Sequence, residues 1–372
     1  MIFRIINTYM NAKDVIDCFK KNLMKTYVGV PCSILSPLIT MCEKEEDILY
    51  INASNEGEAL AIGCGLALNN ELPVIMLQNS GLGNTINPLT SLAIPYNFAC
   101  FMCVSVRGKD GINDEPQHLL MGSITEKLLE LMGIKYLYFD ESIYEQIIMD
   151  LSTYAIENNM PVALLFKKSD LELIQPCDSN YVKDLSQIEI LKYICDRFSN
   201  WTFFTTTGKT SRELWYINKG NSNKTKMFHM YGSMGCACAL GFGYKLKNNN
   251  EKIIIIDGDG AILMKLGNLA TIGKFKPRNF LHIVIDNGQY YSTGGQATNS
   301  DSVNIANVAK ACGYEITYDV NNYKSLYNAV ENILNSRLLT MLVIHVKANE
   351  SPGLGRPKEL LMEMKNRFLL RG

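Results

Sequence analysis

An aspartate and an asparagine 28 positions apart, Asp259 and Asn287, point most directly to chemistry. Asp259 sits in Gly258-Asp259-Gly260, just after the apolar run Ile253–Ile256, which reads as a strand buried on both faces. Asn287 ends a second strand-like run, Leu281–Asp286. In a parallel sheet both strand ends lie on the carboxyl edge, where α/β proteins bind ligands. An Asp and an Asn converging there offer oxygen ligands to a hard cation such as Mg²⁺, which commonly shares its shell with phosphates. The glycines around Asp259 let backbone N–H groups approach a diphosphate at a helix N-terminus. A lone Gly-Asp-Gly is equally a tight strand–helix turn; the Asn at the end of the next strand favours the ligand site.

Other residue types narrow the chemistry. Glu56 and Glu58 open a helical segment after the strand-like ILYIN, where a first-turn Glu also serves the helix dipole. Only four histidines occur, which nearly excludes a His-rich metal site. His118 lies in a polar loop, whereas His282 and His345 alternate with apolar residues and read as structural; His229, just before Gly232, is a weaker alternative. The 11 cysteines are scattered through apolar segments without zinc-ligand spacing, which suggests reduced core thiols in a cytoplasm.

The elements that must position these residues alternate between strand-like and helix-like runs. Strands are expected at 27–30, 48–52, 73–78, 101–106, 135–139 and 162–166, with helices such as 56–68 and 123–132 between them. A second series has strands at 201–206, 252–257, 281–286 and 339–346, helices at 235–245 and 322–335, and a helix of roughly 15 residues after Gly260. This predicts an α/β chain of two doubly wound parallel-sheet domains, 1–172 and 189–372, joined by a polar linker at 173–188. No repeat is clear enough to claim from the sequence.

Bulk properties exclude several classes. The chain has 372 residues, 47% hydrophobic and 20% charged, with net charge −1 and no basic run, so nucleic acid is not an expected partner. No apolar stretch is long enough for a membrane span, and the amphipathic N-terminus lacks the form of a signal peptide. Neither a P-loop nor a GxGxxG fingerprint stands at a suitable strand–helix junction.

The segment from Gly258 to Asn287 resembles the cofactor-binding motif of the thiamine-diphosphate (ThDP) enzyme superfamily, which begins GDG and ends in Asn. By that resemblance Asp259 and Asn287 ligate Mg²⁺ with the backbone carbonyl of Gln289, and Gly258, Gly260 and Ala261 lie against the diphosphate. Asp286 stands where many members have a first Asn. Thr206-Thr207-Gly208-Lys209 fits the same cofactor, and Gly232-Ser233-Met234-Gly235 resembles the loop whose apolar residue, here Met234, supports a bent cofactor. Glu56, with Gly65 nine positions later, fits the pyrimidine-domain pattern and is preferred to Glu58 as the group that activates the aminopyrimidine. The resemblance also implies self-association, with the active site between chains, and two domains without the middle domain of larger relatives.

A narrower resemblance, to phosphonopyruvate decarboxylases, rests on Gly29-Val30-Pro31, Arg107-Gly108, Asp114–His118, Met121-Gly122, Thr206–Leu214, Ser292–Gln296 and Gly353–Pro357. Tyr290 and Tyr291 depart from the family pattern, and some sulfopyruvate decarboxylases are similar at that point. The substrate implied by this resemblance is a small anionic 2-oxo acid, 3-phosphonopyruvate first, with sulfopyruvate and carboligation of acetolactate type as alternatives. Arg107, Lys209 and Arg212, with Arg356 weaker, are the cations expected to meet its anionic tail, since Arg binds two oxygens of one group at once. His118 is expected to handle the proton after decarboxylation.

Overall fold

The computed structural model describes residues 10–109, 114–172, 185–220, 225–347, 354 and 359–370. The chain divides into two compact units, Met1–Cys177 and Asp178–Gly372. Most of the expected linker, 173–184, lies outside the described residues, as do Gly353, Gly355, Arg356 and Pro357. The last four linker positions belong to the second unit: Leu185 is fully buried, Ser186 bridges to Lys347, and Gln187 begins the helix Gln187–Arg197.

The first unit contains β1 (Thr26–Gly29), β2 (Leu49–Asn52), β3 (Val74–Gln78), β4 (Phe101–Ser105), β5 (Lys135–Tyr138) and β6 (Val162–Phe166). They pair in parallel in the order β2-β1-β3-β4-β6-β5. The second unit contains β7 (Thr202–Thr205), β8 (Met227–His229), β9 (Ile253–Gly258) and β10 (Phe280–Asp286), a small antiparallel pair β11 (Gln289–Tyr290) and β12 (Gln296–Ala297), then β13 (Ile316–Val320) and β14 (Thr340–His345). Its main sheet is also parallel, with order β13-β14-β10-β9-β7-β8. From its other edge this order is β8-β7-β9-β10-β14-β13, the same path through six strands as in the first unit. The chain therefore holds one topology twice, which its sequence does not reveal.

Burial explains the composition of the central strands. In β9, Ile254 and Ile256 enter the core on one face while Ile253 and Ile255 enter the core on the other. Adjacent Phe203 and Phe204 of β7 divide in the same way. Strands covered by helices on both sides need apolar residues without alternation. Besides the short pair β11 and β12, the strands not expected from sequence are β8 and β13, the two edges of the second main sheet; β8 has three residues and β13 is largely half-exposed.

The single helix expected after Gly260 is two, Asp259–Met264 and Asn268–Phe275. The break falls where another loop docks. Asn268 Nδ2 donates to Gly235 O at 3.1 Å, and a Cβ on Gly235 would stand 2.9 Å from Ala261 O. Gly235 has φ +83°, a conformation that side chains disfavour.

The helix Ala237–Lys247, which lies on β9, carries two glycines with opposite roles. A Cβ on Gly241 would lie 2.2 Å from Ile255 Cδ1, whereas Gly243 has nothing within 4 Å. Gly241→Ala is expected to lower stability by about 1–3 kcal/mol through overpacking. Gly243→Ala should raise it by roughly 0.5–1 kcal/mol through helix propensity. Urea unfolding of the two variants measures both signs; equal effects would refute the packing described.

Candidate active site

The second unit has a cavity of about 180 Å³ at the carboxyl ends of β7, β9 and β10. This is the topological switch point, where the chain leaves β7 outward to β8 and returns to β9. Thr206, Thr207, Gly208 and Lys209 line one wall, at the start of the helix Lys209–Gly220. Gly258, Asp259, Gly260 and Ala261 line the second; Asn287, Gln289 and Tyr290 the third; Met234 also reaches the cavity. Gly232 and Ser233 stay outside the lining and carry the backbone that presents Met234, with Ser233 at φ +54°.

Asp259 is 3% exposed, and its Oδ2 accepts a hydrogen bond from Thr298 Oγ1 at 2.5 Å. Burial first, then the Asp286 carboxylate, pushes Asp259 up to about 7, against the pull of the Thr298 hydroxyl. A carboxylate in that state gains from a cation. Asn287 shapes the adjoining turn: its Oδ1 accepts from Gln289 N at 2.9 Å, and Gly288 between them takes φ +74°. Thr206 is buried, and its hydroxyl has no hydrogen-bond partner among the described residues.

Asp286 is the hub behind Asn287. Its Oδ1 accepts from Gly288 N and from Ser300 Oγ, each at 3.0 Å, and Ser300 Oγ lies 3.0 Å from Thr298 Oγ1, whose one proton goes to Asp259. Asp286 Oδ2 faces His345 Nδ1 at 2.9 Å, and His345 Nε2 faces Asp319 Oδ1 at 2.6 Å. Thr298, Ser300 and the His345 link escaped sequence reasoning. Serines and threonines in a loop carry no signal of which carboxylate they reach, and a strand histidine reads as core.

The expected substrate cations are arranged differently. Lys209 is in the cavity, with Nζ 3.6 Å from the centroid of the Tyr291 ring, and burial lowers its pKa. Arg212 lies on the same helix, outside the cavity lining. Arg107 belongs to the first unit, where its Nε donates to Asp114 Oδ2 at 2.9 Å and its second guanidinium edge also meets Asp114. Burial alone would raise Asp114; hydrogen bonds from Arg107, Glu115 N and Gly108 N hold it well below the carboxylate range. Gln187, placed in the linker by sequence, lines the cavity and donates to Glu213 Oε2 at 2.7 Å.

In the first unit the two glutamates of the Asn55 helix separate. Asn55 Oδ1 caps Glu58 N at 3.0 Å while Glu58 Oε2 accepts from Ser54 N at 2.9 Å, so Glu58 is spent on closing the helix N-terminus. Glu56 turns inward, 6% exposed, and its Oε2 accepts from Asn84 Nδ2 at 2.7 Å. Its carboxyl rests on Gly81, where a Cβ would stand 2.2 Å from Glu56 Oε1. His118 ends the short turn Pro116–His118, half-buried, with its backbone packed on Gly108. His229 is buried in β8 beside Ser211 and Thr205; burial lowers its pKa to about 3, which removes it as a proton carrier near neutral pH.

Residues 206–345 match the family described as thiamine pyrophosphate enzyme, C-terminal TPP binding domain. The chain is 32% identical to a phosphonopyruvate decarboxylase of Streptomyces viridochromogenes over 92% of this chain and 90% of the relative. It is 28% identical to a sulfopyruvate decarboxylase of Methanosarcina acetivorans over 90% of each. It is 36% identical to a sulfopyruvate decarboxylase subunit beta of Methanococcus maripaludis, over 50% of this chain and 97% of that subunit.

His345 provides a test of the network behind Asn287. Hydrogen bonds donated to Asp286, then to Asp319, raise its pKa from 6.5 to about 9. Because the folded value exceeds the unfolded one, this stabilisation is fully present below pH 6.5 and lost as pH rises through about 9. Urea midpoints of the metal-free chain should therefore fall across that window, and less steeply in His345→Asn. Parallel profiles would detach His345 from the network.

Proposed function

The chain belongs to the phosphonopyruvate decarboxylase family of ThDP enzymes, and on that premise we propose that it converts 3-phosphonopyruvate to phosphonoacetaldehyde and CO₂, with Mg²⁺, in phosphonate biosynthesis. The reaction class is ThDP-dependent decarboxylation of a 2-oxo acid by a carboxy-lyase. One observation carries the finer reading: Thr206–Lys209, Met234, Gly258–Ala261, Asn287 and Gln289 surround a single cavity at the switch point.

The residues present suit the cofactor. Asp259 and Asn287 are oxygen donors at the ends of adjacent strands, the pattern a hard cation requires. The Thr206 hydroxyl, which has no hydrogen-bond partner among the described residues, and the helix start at Lys209 suit a diphosphate. In this reading Asp259, Asn287 and the Gln289 carbonyl hold Mg²⁺, while Thr207, Gly208, Gly258, Gly260 and Ala261 receive the diphosphate. Gly232 and Ser233 hold Met234 against the cofactor. Bound ThDP supplies a carbon nucleophile and a sink for the electrons left by the departing carboxylate.

The chain's own residues do the rest. Glu56 holds a proton at the cofactor's pyrimidine nitrogen, with its carboxyl fixed by Asn84 and sheltered from water. His118 delivers the proton that replaces the lost carboxylate. Lys209 attracts the anionic tail, with Arg212 on the same helix supplementing the field, while Arg107 is engaged by Asp114. Self-association completes the site, Glu56 coming from a partner chain. The sulfopyruvate decarboxylase relative supports a second reading, in which the tail is a sulfonate.

CO₂ release by the purified chain with ThDP and Mg²⁺, offered phosphonopyruvate, sulfopyruvate and pyruvate in parallel, tests the reading. Preference for phosphonopyruvate is expected; preference for sulfopyruvate would retain the chemistry and overturn the substrate. Glu56→Gln should keep ThDP bound, by fluorescence titration, while turnover falls about 100-fold or more. Full turnover in that variant would remove Glu56 from the mechanism.

A further inference from the structure

A second group of ligand-type side chains lies beneath the Gly258 turn. Cys238, Asp257 and His282 are all buried, and one ligand atom from each lies within 4.8 Å of the others. Strand parity explains the meeting. Ile254 and Ile256 face one core, so Asp257 faces the other with Ile253 and Ile255; His282 faces that same side, opposite to Leu281 and Ile283. Cys238 arrives from the helix Ala237–Lys247 that covers this face.

His282 Nε2 stands 3.1 Å from Asp257 Oδ2, while Asp257 Oδ1 has no hydrogen-bond partner among the described residues. A carboxylate oxygen buried without a partner is costly. The surrounding groups suit a metal's outer shell. Tyr314 Oη lies 3.2 Å from His282 Nδ1, so it can accept that N–H and leave Nε2 as a free donor atom. Asn268 Nδ2 donates to Cys238 Sγ at 3.3 Å, as suits a thiolate. Without a cation, burial drives the Cys238 thiol strongly upward and keeps it protonated.

We propose that Cys238, Asp257 and His282 form a buried structural zinc site, separate from the cavity lined by Asp259 and Asn287. Zn²⁺ with one thiolate, one carboxylate and one neutral imidazole is uncharged as a group, the condition that full burial demands. A thiolate and an imidazole select zinc over Mg²⁺. Zinc–ligand bonds of about 2.0–2.3 Å place donors roughly 3.5 Å apart, so the cluster closes on an ion with shifts of about 1 Å. Asp257 supplies the fourth donor by chelating through both oxygens, with a bite narrower than a tetrahedral edge, so the site is a distorted one. Binding releases the thiol proton, and His282 carries its remaining proton on Nδ1. The ion would tie β9, β10 and the covering helix together under the Gly258 turn.

The test is metal content, independent of turnover. The full chain, expressed in zinc-supplemented medium and purified without chelator, should carry about one zinc per chain by mass spectrometry. Cys238→Ser should lower it about tenfold or more, whereas Asp259→Ala should leave it unchanged. Wild-type chain expressed with cobalt should show a thiolate-to-cobalt charge-transfer band, a readout that stands even if the Ser variant folds poorly. Wild type lacking both zinc and the cobalt band would overturn the site. So would zinc retained in a folded Cys238→Ser chain.

Discussion

Two carboxylates, Asp259 and Asp286, are withheld from water at the ends of neighbouring strands, and much of the second unit's carboxyl edge answers that constraint. Asp286 is met by His345, a serine hydroxyl and a backbone N–H. Asp259 has the Thr298 hydroxyl, which offsets only part of the rise in proton affinity that burial and the Asp286 carboxylate impose. Asp286, although it departs from the family pattern, anchors the turn that carries Asn287.

The repeated topology shows how one framework serves two kinds of site. In each unit the carboxyl edge of the parallel sheet gathers the polar residues, because strand ends there face loops and helix N-termini rather than packed side chains. The second unit uses that edge for oxygen donors around a cavity. The first uses it for a single buried carboxyl, Glu56, seated on Gly81 and held by Asn84. Asn79 stiffens the same edge: it accepts from Arg107 N at 3.2 Å and donates to Arg107 O at 2.9 Å. The guanidinium of Arg107 is meanwhile committed to Asp114, which couples the start of the loop to its far side.

Buried polar chemistry in the second unit is layered through the sheet. Asp259 and Asp286 serve the edge, while Asp257, two residues before Asp259, points into the apolar layer with His282 and Cys238. Alternation along one strand and the helix start that follows it thus separate carboxylates that are almost adjacent in sequence into two environments.

The sequence by itself determined the two-unit α/β fold class, because apolar runs bounded by turn residues report burial locally. It also determined the family, because Gly258-Asp259-Gly260 and Asn287 keep their types and spacing. The cavity residues from Thr206 to Lys209, Met234 and Gly258 to Ala261 were legible for the same reason. Contacts between distant segments were decided only by the tertiary structure. Examples are Thr298 on Asp259, His345 on Asp286, Gln187 in the cavity wall, and the helix broken at Lys265–Gly267 by the docking of Gly235. The shared strand order of the two units was equally hidden. A parallel sheet asks only for apolar strands in the right succession, so two sequences can follow one path without resembling each other.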